Sequence, residues 1–249
     1  DVGVGRAPGS DPVTSVMLRG SRDDAGDVAV DNFPRHLDEI AAMMRPAGVR
    51  VELPPRPRQP DYVLKATPAA VGEPRLWLLG SSMYSAHLAA AKGLPYVFAH
   101  HFSGQGTAEA LAIYRDEFRP SDLCAEPVTF LTVNASVAPT REEAEALLLP
   151  NLQSMARLRT GQPLRPLDLV EDAQGARVTP QEQHIIDAVA AKTVLGEPAE
   201  AAEQLRSLAA RFAVDEVMVH PVAAARRGTD PATAPAREQT LELLAKELF

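Results

Sequence analysis

The chain has 249 residues, of which 45% are hydrophobic and 23% are charged, and its formal net charge is −8. This balance predicts a soluble globular protein of one large domain or two, and it disfavours a nucleic-acid-binding surface, whose usual sign is a basic patch. No apolar run approaches the roughly 20 residues of a membrane span, and no signal-peptide pattern opens the chain. The single cysteine, Cys124, excludes an internal disulfide and has no spaced partner ligand, so we expect a free thiol in a reducing cytoplasm.

The first half of the chain alternates short apolar runs with helical patterns. Strands are predicted at residues 2–4, 76–79 and 96–99, with a minor strand at 63–66, and helices at 33–44, 82–92 and 107–118. Asp31 or Asn32 is suited to cap the first helix, and Gly93 to end the second. The connector at residues 53–60 is too rich in proline for either regular structure.

The second half repeats this alternation. Strands are predicted at residues 128–137 and 216–219, and helices at 140–158, 180–191, 198–212 and 238–248. Thr140 with Glu143 has the spacing of a capping box, which marks the start of a helix. Residues 159–177 are polar and contain proline, so they are predicted to form a loop.

Short buried strands that alternate with helices predict an α/β protein with a parallel sheet covered by helices. About five principal strands are visible, enough for a doubly wound sheet. A (β/α)8 barrel would need three more βα units. The opening residues, DVGVGRAPG, lack an initiator Met and have the pattern of a strand already in progress. We therefore expect that an N-terminal segment is missing from this sequence.

Small hydroxyl residues follow the buried strand in RLWLLGSSMYSAHL, where a helix begins. Hydroxyl groups at Ser81, Ser82 and Ser85, together with the free amides of a helix N-terminus, can bind a phosphate. Plain N-capping by Ser81 or Ser82 explains the same residues without a ligand. The chain has no GxxxxGK[ST] motif, and GVGRAPG lacks the full GxGxxG spacing, so neither a nucleotide-triphosphate site nor a Rossmann site is favoured.

His100 and His101 close the strand that follows this helix. Adjacent strand residues point to opposite faces, so only one of them is expected to face a cavity. No third ligand stands at a useful spacing, and no metal site is predicted. The remaining histidines are isolated in the sequence, and structural or surface roles are expected for His36, His87, His184 and His220. Apolar pocket walls or simple core are the alternatives for Met83, Phe98 and Phe102.

Three segments resemble the bacterial-luciferase-like flavin monooxygenases, in the order expected for that family: DVGVGRAPGSDP, LWLLGSSMYSAHLAAAKGLPYVFAHHF and TVLGEPAEAAEQL…DEVMVHP. The resemblance extends over most of residues 1–221 and is closest to the branch described as FMN-linked alkanal or alkane monooxygenases. It implies a (β/α)8 TIM barrel, here incomplete, with about strands four to eight in residues 1–222 and a tail with a short helix in 223–249. The catalytic histidine of the family would lie near the second strand, so no catalytic residue is assigned.

The resemblance also implies a cofactor and its contacts. Reduced FMN and molecular oxygen would oxidise a small organic substrate, with reduced flavin delivered by a separate flavin reductase, and a homodimer is one expected assembly. Residues expected to bind the cofactor are Arg6, Gly80, Ser81, Ser82 and Ser85, with Arg6 reaching the flavin phosphate. Residues expected near the flavin ring or the substrate are His100, His101 and Phe102.

Two alternatives keep the same fold. Related family members use the deazaflavin F420 for hydride transfer without oxygen, and the phosphate seat would be similar for both cofactors. A chain without the first three βα units could also be a truncated relative that binds flavin loosely or not at all. The sequence names neither the substrate nor the oligomeric state.

Overall fold

The computed structural model describes residues 1–6, 13, 17, 31–51, 62–68, 72, 74–102, 104–163 and 165–249. The chain divides into two units: a first unit of residues 1–98 and 109–128, and a second unit of residues 99–108 and 129–249. The predicted connector at 53–60 lies outside the described residues, as does most of the segment between the first strand and the first helix.

Strands and helices alternate along the described part of the chain. The strands are β1 (Val2–Gly5), β2 (Val49–Val51), β3 (Tyr62–Leu64), β4 (Leu76–Gly80), β5 (Tyr96–Phe98), β6 (Leu131–Val137), β7 (Val194–Gly196) and β8 (Val217–Pro221). The helices are α1 (Phe33–Met44), α2 (Met83–Lys92), α3 (Thr107–Asp116), α4 (Arg141–Arg159), α5 (Val170–Gly175), α6 (Pro180–Ala190), α7 (Pro198–Phe212) and α8 (Pro235–Leu248). None of the described helices combines the length and hydrophobicity that crossing a bilayer requires.

The first unit contains a parallel sheet with the strand order β1–β4–β5. Gly5 lies opposite Leu79, and Gly80 lies opposite Phe98. Parallel strands in this register bring their carboxyl ends to one edge of the sheet, so residues that follow β1 and β4 are neighbours there. The antiparallel pair β2–β3 also belongs to this unit.

The second unit contains a parallel sheet with the order β7–β6–β8. Every residue of β6 is buried, because helices pack against the unit's sheet. Part of the core lies between α4, α6 and the residue after β8, and consists of Leu148, Leu152, Ala156, Ile186, Val189 and Val222. Helix α8 packs on β6, β8 and α7 in the same unit.

The predicted α/β class and the parallel pairing are confirmed, and most predicted elements agree with the structure to within a few residues. The described strands form separate sheets and no closed barrel. Closure would require each strand to pair on both sides, whereas β1 and β5 are edges of one sheet, and β7 and β8 are edges of the other.

The structure differs from the local predictions in the following details. The predicted strand at 128–137 begins only at Leu131, and Val128, whose carbonyl accepts a hydrogen bond from the Tyr96 amide, belongs with Tyr96 to the first unit. The predicted loop at 159–177 contains α5, whose Ala173 carbonyl accepts a hydrogen bond from Gln153. Asn32 precedes α1 but makes no side-chain cap. The strands β2 and β7 were not predicted.

Candidate functional site

The turn between β4 and α2 presents an open helix N-terminus. Ser82 is the N-cap residue with extended backbone (φ −137°, ψ 161°), and its side chain makes no capping hydrogen bond. Ser81 and Ser82 are exposed, and the first turn of α2 contains no acidic residue. The first amides of a helix have no intrahelical acceptor and carry the positive end of the helix dipole. The turn therefore has the chemistry of an anion seat.

Ser85 lies three residues further and has a different environment. Its side chain is buried, its hydroxyl donates to the Ser82 carbonyl at 2.6 Å, and it lies 3.1 Å from the Tyr96 hydroxyl. A Cβ added at Gly80 would overlap the Ser85 side chain, so the glycine permits the close approach of α2 to the end of β4. Burial raises the pKa of Tyr96, and its hydrogen bond with Ser85 opposes that rise. The hydrogen bonds of the buried Ser85 hydroxyl and the absence of a side chain at Gly80 thus stabilise the conformation of the turn.

Arg6 reaches the same turn from the neighbouring strand. Because Gly5 pairs with Leu79, the chain leaves β1 beside the end of β4. The Arg6 guanidinium carbon lies 4.1 Å from the centroid of the Tyr84 ring, and Tyr84 belongs to the first turn of α2. A cation held over an aromatic ring gains about 0.5–1 kcal/mol at an exposed site and keeps its hydrogen-bonding edge available. The structure therefore brings Arg6 together with the Gly80–Ser85 turn.

His100 and His101 belong to the second unit and contact different partners. The buried His100 has Nδ1 2.8 Å from Thr107 Oγ1, and its ring meets the Phe212 ring edge-on at 5.2 Å between centroids. Burial lowers the pKa of His100, and the positive charges of Lys192 and Arg211 lower it further. His100, Lys192, Arg211 and Phe212 all line a cavity of about 780 Å³.

His101 is exposed and faces the polar side of β6. Its Nδ1 lies 2.8 Å from Thr132 Oγ1, and its carbonyl accepts a hydrogen bond of 2.9 Å from Asn134 Nδ2. The Asn134 carbonyl oxygen lies 3.0 Å from Nδ1 of His220, and the rings of His101 and His220 are 6.4 Å apart. Partial burial lowers the pKa of both imidazoles; the charge of His220 lowers the pKa of His101 further.

Phe102 is 46% exposed, and its carbonyl accepts a hydrogen bond of 2.7 Å from Arg159 Nη2. Cys124 is a buried free thiol, and its Sγ donates to the Glu126 carbonyl. Within the described parts of the chain, no group of three or more His, Cys, Asp or Glu side chains is arranged to hold a metal ion.

Sequence reasoning missed Tyr84, Thr132 and Asn134, and treated His220 as isolated. One signal was present in the strand sequence LTVNASV, where polar residues occupy every second position and therefore share one face. Nothing local indicated Tyr84, because its partner Arg6 is 78 positions away in the sequence.

Known proteins resemble this chain in sequence. The family model described as luciferase-like monooxygenase matches residues 22–216. The uncharacterized protein YvbT of Bacillus subtilis (strain 168) is 34% identical over 221 residues, which are 88% of this chain and 61% of that protein. The luciferase-like monooxygenase of Escherichia coli (strain K12) is 33% identical over 223 residues, with the same coverage of 88% and 61%. The chain thus spans about three fifths of the length of these curated relatives.

Solved structures share the fold. Apo-MsnO8 superimposes with a TM-score of 0.72 at 27% identity, covering 99% of this chain and 67% of its own. The oxygenating constituent of 3,6-diketocamphane monooxygenase from Pseudomonas putida, in complex with FMN, has a TM-score of 0.57 at 16% identity, covering 98% and 69%. An F420-dependent secondary alcohol dehydrogenase has a TM-score of 0.56 at 10% identity, covering 100% and 69%. Because the family model matches more than three quarters of this chain, the chain belongs to the luciferase-like monooxygenase family.

Proposed function

We propose that this chain is part of a flavin-dependent monooxygenase that uses reduced FMN and molecular oxygen to oxidise a small organic substrate. Membership of the family supports an oxidoreductase of flavin or deazaflavin type. We further propose that β1, β4, β5, β6 and β8 of the two parallel sheets are about strands four to eight of a (β/α)8 barrel, because barrel-forming relatives cover nearly all of this chain. When bound, reduced flavin would supply the electrons that activate oxygen.

The observation that carries the proposal is the meeting of Arg6 with the uncapped start of α2. Arg6 stacks on Tyr84, and the exposed Ser81 and Ser82 precede that helix. A guanidinium, two hydroxyl groups and free helix amides form a donor set that suits a phosphate dianion. The Ser85 hydroxyl already has partners inside the protein, so we assign it to holding the turn and leave phosphate binding to the other groups.

Two fold neighbours support the choice of cofactor without deciding it. One was solved with FMN and the other is F420-dependent, and both cofactors carry a phosphate. One of these proteins is described as the oxygenating constituent of its monooxygenase. We extend that division of labour to this chain and propose a separate flavin reductase as its partner.

The phosphate seat is tested by titrating the chain with FMN and with riboflavin, which has the same ring system and no phosphate. Arg6→Ala and Ser82→Ala should each weaken FMN binding and leave riboflavin binding unchanged. Loss of a hydrogen bond to a charged group costs about 1.5–3 kcal/mol. Arg119→Ala removes an exposed cation of the first unit and serves as the control for net charge.

An equal loss for FMN and riboflavin would contradict the phosphate assignment. Oxygen uptake separates the two cofactors: turnover with F420, and none with FMN, NADH and a flavin reductase, would replace the monooxygenase by a hydride-transfer enzyme. No binding of either cofactor would favour a non-catalytic relative.

A further inference from the structure

Two buried polar residues of β6 form hydrogen bonds with the side chains of two histidines. Thr132 and Asn134 are 7% and 8% exposed, and they alternate with the apolar residues Leu131, Val133 and Ala135. Burial of polar groups in an apolar strand is unfavourable unless they are hydrogen-bonded. Thr132 forms a hydrogen bond with the exposed imidazole of His101, and Asn134 with that of His220, so the buried groups hold two solvent-facing rings in place.

The hydrogen bonds determine the tautomer of His220. The His101 carbonyl oxygen can only accept, so the Asn134 atom 2.9 Å from it must be the amide nitrogen. The other amide atom, Oδ1, then faces Nδ1 of His220 at 3.0 Å and can only accept as well. Nδ1 of His220 must therefore carry the proton. In a neutral imidazole this leaves Nε2 with a free lone pair.

The surroundings of His220 favour that neutral form. Partial burial lowers the pKa of His220, and the positive charge of Arg237 in α8 lowers it further. Nε2 of His220 has no hydrogen-bond partner among the residues that the structure describes, and the same holds for Nε2 of His101. Nε2 of His220 is thus a hydrogen-bond acceptor on a ring that Asn134 holds in a fixed orientation through Nδ1.

We propose that Nε2 of His220 is a substrate anchor that accepts a hydrogen bond from a hydroxyl or N–H group of a neutral organic molecule. This inference rests on the proposed function for the identity of that molecule as the monooxygenase substrate. Carboxylates are disfavoured, because a neutral acceptor offers them no proton. Asn134 is the positioning residue that fixes the imidazole in the accepting tautomer.

The tautomer is tested first, without any flavin. Two-bond ¹H–¹⁵N correlation spectra of the chain labelled with ¹⁵N-histidine should show a protonated Nδ1 and an unprotonated Nε2 for His220. Assignment follows from the signals lost in His220→Gln. In Asn134→Asp, a carboxylate replaces the amide beside Nδ1, and His220 should titrate at a higher pH. A proton on Nε2 in the unmodified chain would overturn the proposal.

The ligand class is tested with cyclohexanol and cyclohexanone, which share a shape and differ in hydrogen-bond donation. Saturation-transfer NMR on the same chain should show that His220→Phe weakens cyclohexanol binding about two- to tenfold, the range of one net hydrogen bond. Cyclohexanone binding should not change, and His220→Gln, which keeps an acceptor oxygen, should retain part of the preference.

An identical response of the two probes, or no preference in the unmodified chain, would overturn the inference. FMN titration of the same samples tests the proposed function separately. Loss of the cyclohexanol preference with intact FMN binding contradicts only the anchor. Absence of FMN binding with an intact preference contradicts only the cofactor.

Discussion

Ser82 and Ser85 lie three residues apart in the same turn, yet their hydroxyl groups have different surroundings. Ser85 is buried and bonded to the Ser82 carbonyl and the Tyr96 hydroxyl, whereas Ser82 is exposed and makes no cap. We predict that Ser85→Ala lowers the free energy of unfolding by about 0.5–1.5 kcal/mol, the value of a net hydrogen bond. Ser82→Ala should leave it unchanged within about 0.5 kcal/mol. Urea denaturation of the two variants measures the difference.

The pair is informative in both directions. If Ser82→Ala were the more destabilising variant, the Ser82 hydroxyl would be a structural cap, and its assignment to phosphate would lose its basis. If Ser85→Ala had no effect on stability, the buried hydrogen bonds would not be supporting the turn.

Gly80, the last residue of β4, lies against the Ser85 side chain of α2. A methyl group there would overlap both Cβ and Oγ of Ser85. We predict that Gly80→Ala costs about 1–3 kcal/mol, as overpacking typically does. Gly175→Ala is the matched control, because a Cβ at Gly175 meets nothing within 4 Å. Thermal unfolding of both variants measures the cost.

The double variant Gly80→Ala with Ser85→Gly identifies the cause. Removing the Ser85 side chain should recover part of the loss if the overlap produces it. Additive losses in the double variant would mean that the glycine serves backbone conformation instead.

The chemistry of the turn was predictable from sequence, and its partners were not. Gly-Ser-Ser after an apolar run indicates a helix start with hydroxyl groups in any α/β protein. The stacking of Arg6 on Tyr84 depends on the parallel pairing of β1 with β4. The Asn134–His220 bond depends likewise on the pairing of β6 with β8. Single-residue patterns contain no information about either pairing.

At the scale of elements, the buried hydroxyl of Thr240 in α8 forms a hydrogen bond with the end of β6. Oγ1 of Thr240 accepts a hydrogen bond of 3.2 Å from the Val137 amide at the end of β6. We predict that Thr240→Val, which keeps the shape and removes the hydroxyl, costs about 1–3 kcal/mol, because the buried amide loses this partner. Thr240→Ser keeps the hydroxyl and should cost about 0.8 kcal/mol for one methyl group. Urea denaturation of both variants provides the comparison.

Equal losses for Thr240→Val and Thr240→Ser would assign the whole effect to packing. Such a result would contradict the role of Thr240 as the hydrogen-bonded link between α8 and β6.

Long elements were easier to predict than short ones. The helices α4, α6 and α7 have clear starts, including the reciprocal capping box of Thr179 and Glu182. The three-residue strand β7 and the six-residue α5 are too short for a periodic pattern. Helix α5 is stabilised by contact with α4, where the Gln153 side chain donates a hydrogen bond to the Ala173 carbonyl. Tertiary contacts of this kind determine short elements, and they are absent from local sequence.

At the scale of the whole molecule, the alternation of strand and helix patterns predicted parallel sheets. It did not predict whether the strands would form one closed barrel or separate sheets. Local patterns define the strands β1, β4, β5, β6 and β8. Closure of a barrel depends on pairing between strands that are far apart in the chain, and no local pattern identifies which strands pair. Class and strand direction were therefore predictable, while the closed arrangement was not.

Three histidines make the stability of the chain depend on pH in a defined direction. His100, His101 and His220 each have a lowered pKa, and burial is the largest cause in all three. The unfolded chain binds their protons at a pH of about 6.5, whereas the folded chain binds them only at lower pH. The unfolded state therefore holds more protons in this window, and stability rises with pH there.

We predict that the free energy of unfolding, measured in urea, falls between pH values of about 7.5 and 5.5 because the folded chain resists protonation of these imidazoles. His100→Asn should flatten this dependence, whatever its effect on absolute stability, since it removes the buried imidazole beside Lys192 and Arg211. Asp168 and Glu182 have lowered pKa values, so they lose their contribution only below about pH 4.5. An unchanged slope in His100→Asn would assign the effect to His101 and His220. A stability independent of pH across the window would contradict the neutral state of all three imidazoles.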